Sequence, residues 1–501
     1  MNSLANAPLH FTLLDYSIVA AYLIGITVAG LKLAGRQHSL SDYFLGGKTM
    51  SWWAVGFSMV ASETSTLTFV SVPGLAYMGN FHFLQLAFGY FIGRLLVAIY
   101  FIPAYYRCDL ETAYDFLGKR FGLRLRQAIS LVFLFTRVLS SGVRLFATAI
   151  PVHLITGLGY RNTILLIGLF TIIYTYLGGL KAVVTMDVVQ LAIYLCGAAI
   201  SVIIILTRLP HGWADVVSHA YAGTANKLEV LNLEWGSSLN QFLSTPYTLM
   251  GGLIGGTFLS MASHGTDQLL VQRLLGCQSS RDSQRALILD ALLINFQFAF
   301  FLILGLCLFA FYHGQGLPSL GLQSSDEIFP KFIVENLPPG VAGIVVAGVL
   351  ASAMGTLSSA ISSLASSSYL DLYKRGSRGI LAEQSNEIEG SRFFALFWGV
   401  VLVSGAMLFK DTTAPVVVLG LKIASFTYGS MLGVFLLGIF FTEATQKDAM
   451  IGFLIGILST GAILMYTTIA FTWQGCIGCV VTLGGAAVSR FLREHVRGVL
   501  N

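Results

Sequence analysis

Charged residues are scarce in this chain. Only 11% of its 501 residues are Asp, Glu, Lys or Arg, whereas a soluble globular protein has about 25%. Hydrophobic residues make up 55% of the chain, and the mean hydropathy is +0.76. Too little polar surface remains to cover a water-soluble particle of this size. The composition therefore excludes an ordinary soluble protein and indicates a membrane protein.

Cysteines and the common enzyme motifs are also sparse. The chain has six cysteines, and the CxxC formed by Cys476 and Cys479 lies in an apolar stretch without a second pair that could complete a zinc site. The sequence contains no phosphate-binding loop, no HExxH motif and no GxSxG nucleophile elbow. We therefore expect a protein that is not an enzyme. No basic segment precedes the first apolar stretch, so we expect that stretch to be a retained span rather than a cleaved signal peptide.

Long apolar stretches dominate the sequence. A membrane span needs about 20 mainly apolar residues, and backbone groups in lipid must pair within their own segment, so these stretches predict helices. The predicted fold is an all-α polytopic membrane protein with about 13 transmembrane helices, in a single domain over residues 1–501. The predicted spans are 14–34, 51–78, 82–105, 127–152, 160–178, 186–207, 246–268, 284–312, 341–370, 391–409, 415–441, 447–470 and 473–492.

Lysine and arginine are distributed unevenly between the predicted loops. If the N-terminus lies outside, most of the 29 basic residues fall in the inner loops and the C-terminal tail, and only a few, such as Arg161 and Arg208, fall in the outer loops. Basic residues concentrate on the cytoplasmic side of membrane proteins. The pattern predicts a multi-pass protein of the plasma or inner membrane, with the N-terminus outside and the C-terminus cytoplasmic.

Two predicted spans look interrupted. Residues Ser58–Gly74 surround Glu63 with hydroxyl groups and end in a Pro-Gly pair, and residues Thr248–Gln268 contain the glycine pairs 251–252 and 255–256. These are spans 2 and 7, and a separation of five helices suits a five-plus-five inverted repeat with two discontinuous helices at the binding site. Close packing of membrane helices by serine, threonine and glycine is the open alternative. The predicted parts are an extra N-terminal helix (14–34), a first repeat (51–207), a second repeat (246–441) and extra C-terminal helices (447–492).

Two further segments carry polar groups that lipid would not tolerate. Residues Ala351–Ser368 are rich in hydroxyls, and Thr356, Ser359 and Ser363 share one helix face. Hard cations take oxygen ligands, so this face predicts either a cation site or interhelical hydrogen bonds. Asp187, which we place at the start of span 6, is either a functional intramembrane acid or a helix-start charge favoured by the dipole.

Some basic residues fall inside the predicted spans. A cation buried in the membrane costs several kcal/mol unless it is paired. We expect protein partners for Arg94 and Arg137, with Glu63 and Asp187 as candidate acids. An anionic substrate is the alternative partner for the remaining two, Arg144 and Lys422.

At these segments the sequence resembles the solute:sodium symporter family, which has the leucine-transporter-like inverted-repeat fold. The resemblance covers nearly the whole chain, and five strings in the family's order carry it: DYFLGG (42–47), GGLKAVVTMDVVQ (178–190), SHGTDQLLVQR (263–273), DLYKR (371–375) and SFTYGSMLGVFLLG (425–438). The family's substrates include sugars, amino acids, monocarboxylates, vitamins, iodide and sialic acids.

The resemblance also implies ligand sets. The family's main sodium site matches Ala61, Thr64, Ser352, Gly355 and Thr356 here. Gly355 departs from the pattern, because family members usually have serine at this position and glycine offers no hydroxyl. A second sodium site, present in some members, matches Asp187, Ser358 and Ser359. The positions implied to line the substrate pocket are Glu63, Ser65, Thr68, Phe83, Gln85, Arg144 and Gly255.

The predicted function is secondary active transport that couples inward sodium movement to uptake of a small organic solute by alternating access, with an anionic carboxylate as one candidate solute. The alternative is a proton-coupled symporter of the same fold, with Glu63 or Asp187 as the proton carrier. No repeated filter loop suggests a channel, and the short tail after Leu492 argues against a fused signalling module. The expected partners are the solute, the sodium ion and the lipid bilayer, without nucleic acid, and the protein is expected to be a monomer.

Overall fold

The computed structural model describes residues 11–33, 35, 37–222, 226–236, 238–374, 384–409 and 416–500. The side chain of Lys422 and the last residue of the DLYKR string, Arg375, lie outside the described residues. The first helices are α1 (Leu13–Leu33), α2 (Leu40–Leu45), α3 (Trp52–Glu63), α4 (Thr66–Met78), α5 (Leu84–Leu96), α6 (Ile102–Arg107), α7 (Ala113–Phe121), α8 (Leu123–Thr156), α9 (Tyr160–Arg208) and α10 (Trp213–Tyr221).

The remaining helices follow in the second half of the chain. They are α11 (Leu239–Ser244), α12 (Gly256–Thr266), α13 (Gln268–Leu275), α14 (Ser280–Phe311), α15 (Ile328–Asn336), α16 (Val341–Ser367), α17 (Gln384–Ala406), α18 (Val416–Phe440), α19 (Gln446–Tyr466) and α20 (Phe471–Leu500). Turns of π-helix at Val97–Phe101, Gly251–Gly255 and Ser368–Tyr373 adjoin α5, α12 and α16. The prediction of an all-helical membrane protein is confirmed.

Nine helical stretches within the described residues are long and apolar enough to cross a membrane. One of them, α9, has 49 residues and is broken at Gly179, whose φ of 58° and ψ of −166° are not helical. Two shorter apolar helices, Thr66–Met78 and Ser425–Phe440, add to this set. The total of about 13 spans stays a prediction.

The break in α9 corrects the predicted position of Asp187. A Cβ at Gly179 would lie 2.7 Å from the carbonyl oxygen of Tyr43, so glycine supplies both the left-handed conformation and the close approach. The helix resumes directly after this residue. Asp187 therefore lies about two turns inside the helix and is fully buried, which removes the interpretation as a helix-start charge.

The interruption predicted within residues 58–74 is confirmed. Helix α3 ends at Glu63 and α4 begins at Thr66, with Thr64 at a non-helical ψ of 89° between them. The side chain of Ser65 accepts a hydrogen bond from the amide of Leu67 and caps α4. An N-cap of this kind stabilises a new helix start inside the protein interior.

The second interruption is real, but its predicted cause is wrong. The paired glycines at 251–252 and 255–256 lie in helical turns, and they permit close packing: a Cβ at Gly252 or Gly256 would lie under 3 Å from backbone atoms of Gln85 or Leu86. The chain instead breaks at Asp267, whose carboxylate accepts from the amide of Leu269 and caps α13. A polar N-cap rather than glycine divides this span.

Helix α16 occupies the centre of the molecule. It packs against α8, α9, α1 and α17, and it is the most buried candidate span of the described residues. Burial on all sides explains how a hydroxyl-rich helix exists within a membrane. Helices α1, α17, α19 and α20 are the least buried candidate spans of the described residues, and α19 and α20 pack together against α18.

Candidate transport site

Two backbone carbonyls at the α3–α4 break lack their helical partners. In an unbroken helix the amides of Ser65 and Thr68 would bond to the carbonyls of Ala61 and Thr64. Here the Ser65 amide bonds to Glu63 O at 2.9 Å, and the Thr68 amide bonds to Ser65 O at 2.9 Å. The carbonyls of Ala61 and Thr64 are thereby released for another ligand, as the predicted sodium site requires.

Hydroxyl groups of α16 face this break. The Ser352 hydroxyl lies 3.0 Å from that of Thr66, immediately after the break. The Thr356 hydroxyl donates to the carbonyls of Ser352 and Ala353, at 3.2 and 3.0 Å. Because its proton is directed to the backbone, the lone pairs of the Thr356 oxygen can accept a cation.

Gly355 of α16 lies where three oxygen atoms from two other helices, α3 and α9, converge. A Cβ at this position would be 3.0 Å from Gln190 Oε1, 3.3 Å from Asp187 Oδ1 and 3.9 Å from the carbonyl oxygen of Ala61. The structure therefore brings together the predicted sodium residues on α3 and α16 with the acid on α9. Gln190 was not predicted as a site residue, although it ends the GGLKAVVTMDVVQ string.

A buried arginine occupies one side of Asp187. Arg273 Nη2 lies 3.0 Å from Asp187 Oδ2, which also accepts from Ser58 at 2.6 Å, and Arg273 contacts the hydroxyl of Ser359 as well. Ser358 and Ser359 both donate to Gly355 O. A guanidinium beside Ser359 disfavours a second cation there. Asp187 Oδ1 remains without a hydrogen-bond partner among the described residues and faces Gly355.

A cavity of about 120 Å³ lies beside the α3–α4 break. Five of the predicted substrate residues line it, and aromatic rings of α5, α14 and α18 form much of the remaining wall. These five are Glu63, Ser65, Thr68, Phe83 and Arg144. The unpredicted polar residues of the wall are Ser62, Tyr90, Arg94, Arg137, Ser260, Ser263, His264 and Tyr428.

Arg137 and Arg144, both on α8, differ in their pairing. Arg137 is paired with Asp267, which also accepts from the hydroxyl of Tyr428. Arg144 is only partly buried, but it has no carboxylate within 4 Å in the described part of the chain, and its Nε has no hydrogen-bond partner there. It also borders a small void lined by Thr356. Arg144 therefore connects the cavity to the predicted sodium ligands.

Glu63 does not pair with Arg144. It contacts Arg94 of α5 and His264 of α12, and Arg94 Nε lies 2.7 Å from Asp290 of α14. Protein pairing of Arg94 and Arg137 is thus confirmed, with Glu63 as a partner of Arg94. The other candidate acid, Asp187, pairs with Arg273, and Arg137 pairs with Asp267 instead. His264 and Asp290 were missed, because residues more than 200 positions from Glu63 leave no local signal of such a pairing.

Two predicted pocket residues have other contacts. Gln85 donates to the carbonyls of His82 and Tyr247 and accepts from the amide of Asn232, at 3.1, 3.1 and 3.0 Å. Gln85 thereby fastens the loop after α10 to α5. A Cβ at Gly255 would lie 2.3 Å from the carbonyl oxygen of Thr472, so Gly255 permits close packing against α20. Neither residue lines the cavity.

Comparison with known proteins identifies relatives along almost the whole chain. Residues 43–456 match the model of the sodium:solute symporter family. The sodium/sialic acid symporter NanT of Aliivibrio fischeri is 28% identical over 482 residues, covering 94% of this chain and 92% of the relative. The human sodium-coupled monocarboxylate transporter 1 is 27% identical, covering 89% of this chain and 72% of the relative.

Solved structures give the same fold. A substrate-bound, outward-open structure of a Na⁺-coupled sialic acid symporter superposes with a TM-score of 0.86 at 27% identity, covering 96% of this chain and 98% of that one. The nucleobase-cation-symport transporter Mhp1, in a closed conformation, superposes with a TM-score of 0.54 at 12% identity, covering 91% and 96% of the two chains.

Proposed function

The chain belongs to the sodium:solute symporter family and is a sodium-coupled secondary transporter, and from this premise we propose that its solute is a small organic anion with one carboxylate group. The observation that carries the proposal is the guanidinium of Arg144 in the cavity wall, which pairs with no carboxylate among the described residues. A cation within a membrane span is costly without a protein partner. A solute carboxylate would pair with it and remove that cost, with the bidentate geometry that guanidinium favours.

The size of the cavity supports a small solute. An apolar cavity of about 150 Å³ holds one benzene molecule, so the 120 Å³ beside Arg144 suits a molecule of roughly six non-hydrogen atoms or fewer on the same scale. Some relatives transport sialic acid and others monocarboxylates. The cavity favours the second class, because a nine-carbon sugar acid exceeds its volume several-fold.

We propose that sodium binds between the released carbonyls and α16. The ligands are the carbonyls of Ala61 and Thr64, a carbonyl of Ser352 or Gly355 and the hydroxyl of Thr356, and all are oxygen atoms, as a hard cation prefers. The second set, Asp187 with Ser358 and Ser359, is supported only in part. The free Oδ1 of Asp187 suits a cation, but Arg273 contacts both Oδ2 and Ser359.

The two sites share one structural element. Ser65 and Thr68 line the cavity, and each lies four residues after one of the two released carbonyls, those of Ala61 and Thr64. Sodium at the break therefore orders the residues that contact the solute. By linkage, each ligand then raises the affinity for the other by the same factor, and an inward sodium gradient drives uptake through alternating access.

The experiment is ligand-induced thermal stabilisation of the purified transporter. Because a ligand that binds only the native state raises the melting temperature, lactate, propionate, pyruvate and sialic acid are compared in sodium and in choline buffers. We expect at least one small carboxylate to stabilise the protein in sodium only, and sialic acid to have no effect. Stabilisation by sialic acid alone would refute the size argument.

Three variants assign the sites. Arg144→Gln is expected to abolish the effect of the carboxylate while sodium alone still stabilises, and Thr356→Ala is expected to abolish the effect of sodium. Thr460→Ala is the matched control, because Thr460 also donates to a backbone carbonyl four residues earlier but lies in α19. Unchanged carboxylate binding in Arg144→Gln would contradict the proposed role of Arg144.

A further inference from the structure

Four ionisable side chains from four helices meet at the edge of the cavity. They are Glu63 at the end of α3, Arg94 on α5, His264 on α12 and Asp290 on α14. Arg94, His264 and Asp290 are almost completely buried. The pairings described above account for Arg94 and leave His264 with no assigned task in binding the solute or sodium.

Both ring nitrogens of His264 face hydrogen-bond acceptors. Nδ1 lies 3.1 Å from the carbonyl oxygen of Ser260 and 2.8 Å from the hydroxyl of Ser263. The carbonyl can only accept, and the Ser263 hydroxyl accepts as well when its own proton goes to Ser260 O. Nε2 contacts Glu63 and lies 3.4 Å from Asp290 Oδ2. Arg94 Nε donates to Nε2 at 3.1 Å when His264 is neutral. It also lies 2.7 Å from Asp290 Oδ2, which can receive it when Nε2 carries a proton and donates to the carboxylates instead. Only the doubly protonated imidazolium donates from both nitrogens.

The charge of the cluster leads to the same protonation state. Two carboxylates and one guanidinium leave a net charge of −1 when His264 is neutral, and zero when His264 carries a second proton. An uncompensated charge in a membrane interior is expensive. The cluster is therefore balanced only while it holds this proton.

A divalent metal ion suits the cluster less well than a proton. The ligand atoms of Glu63, His264 and Asp290 lie within 4.8 Å of one another, and this ligand set could hold a transition metal. The guanidinium of Arg94, however, already contacts both carboxylates. A metal ion would have to displace it or lie beside a positive charge.

The surroundings of His264 contain further groups that titrate or carry charge. Tyr90 of α5 lies beneath the guanidinium of Arg94, and Arg137, Arg144 and Tyr428 line the same cavity. Arg137 is paired with Asp267. Among these groups, only an imidazole has an ordinary pKa within the physiological range.

We propose that His264 is a proton-binding site of the transport cycle and that its proton opposes sodium binding. This inference rests on the proposed sodium site. Glu63 lies between Ala61 and Thr64 in the sequence, so the net charge of the cluster acts directly on a cation at the α3–α4 break. Loss of the His264 proton makes the cluster negative and strengthens sodium binding, and sodium binding in turn promotes release of the proton.

The test measures sodium alone as the ligand. The sodium concentration that gives half-maximal thermal stabilisation is determined from pH 5.5 to 8.5 at constant ionic strength, with choline as the replacement cation. We expect it to fall by about three- to tenfold as the pH rises, the size of effect that one charge about 10 Å away produces in a partly screened site. His264→Gln should have a flat profile, because glutamine does not titrate.

Controls separate this inference from the proposed sodium site. His153→Gln removes a histidine of α8 that packs against Tyr160 outside the cavity, and this variant should keep the wild-type profile. If His264→Gln does not fold, Asp290→Asn replaces it. Loss of that carboxylate should move the transition in sodium affinity to lower pH. A wild-type profile that is flat, or one that persists in His264→Gln, would overturn the proton site. No stabilisation by sodium at any pH would refute the sodium site itself. A pH dependence that appears only with added Zn²⁺ or Mn²⁺ and disappears with EDTA would identify a metal site and overturn the proposal.

Discussion

Because residue 355 is glycine, a narrow space remains among the oxygens of Gln190, Asp187 and Ala61, and a side chain there fits only if Gln190 shifts slightly. Gly355→Ser places a hydroxyl there, which can donate to one of these oxygens and offer a lone pair to sodium. We expect sodium to bind roughly tenfold more tightly, the effect of one added hydrogen-bonding or ion-dipole contact of about 1–2 kcal/mol. The measurement is the sodium dependence of the melting temperature.

Gly355→Ala is the control for the hydroxyl. Its methyl group would lie 3.0 Å from Gln190 Oε1 and 3.3 Å from Asp187 Oδ1, which is close contact without a ligand. We expect weaker sodium binding than in the wild type. If alanine strengthens binding as serine does, the gain comes from helix rigidity and the hydroxyl is not a ligand.

Gln85 provides a second test on a single residue. Gln85→Leu removes the side-chain partner of the Tyr247 carbonyl and of the Asn232 amide in the loop after α10, while the His82 carbonyl keeps the backbone amide of residue 85. Each unsatisfied group costs about 1–3 kcal/mol when it stays buried. We expect a clearly lower melting temperature, while the folded variant keeps the wild-type solute affinity. Loss of solute affinity at unchanged stability would restore Gln85 to the binding site.

Single residues also show where sequence reasoning reached its limit. Arg144 was identified because a single cation in an apolar stretch is unusual in itself, and recognising it does not require knowing its partner. His264 was not, since its meaning depends on Glu63 and Asp290, which come from other helices. Gln85 and Gly255 were assigned to the pocket by resemblance to a family, and the direction of a side chain is not determined by its position in a motif.

At the level of helices, the break in α9 depends on one glycine. Gly179→Ala forces a non-glycine residue to a φ of 58° and places a Cβ 2.7 Å from the carbonyl oxygen of Tyr43. We expect a loss of stability of about 1–3 kcal/mol, measured as a lower melting temperature. Gly25→Ala in α1 is the matched control, because it is helical and has open space around its Cβ position. Equal effects in the two variants would contradict the proposed strain.

The helices could be predicted more reliably than their breaks. Apolar length alone identified the regions that become α8, α14 and α16, because lipid permits little else. The break after α3 was visible as a polar island around Glu63. The break before α13 was misplaced, because glycine pairs indicate close packing as often as a break, and the N-cap Asp267 looked like an ordinary polar residue near a span end.

At the scale of the whole molecule, contacts divide the loops between two ends. At the first end, Gln278, just before α14, donates to the carbonyl of Thr49. At the second end, just after α14, the carbonyl of Gln315 accepts from the hydroxyl of Tyr77 on α4. Lys227 donates to the carbonyls of Tyr77 and Gly79, so the loop after α10 belongs to this second end. The distribution of basic residues predicts that the second end is extracellular.

Labelling of single cysteines tests this orientation. In a variant whose six cysteines are replaced by alanine or serine, Trp235→Cys in the loop after α10 and Gln278→Cys before α14 place thiols at exposed sites on opposite ends. We expect a membrane-impermeant maleimide to label Trp235→Cys on intact cells, and Gln278→Cys only after the membrane is permeabilised. The reverse pattern would place the N-terminus inside. It would also mean that the α3–α4 break opens to the cytoplasm at the step where the proposed cycle opens it to the outside. The sodium gradient would then act on this site in the opposite direction.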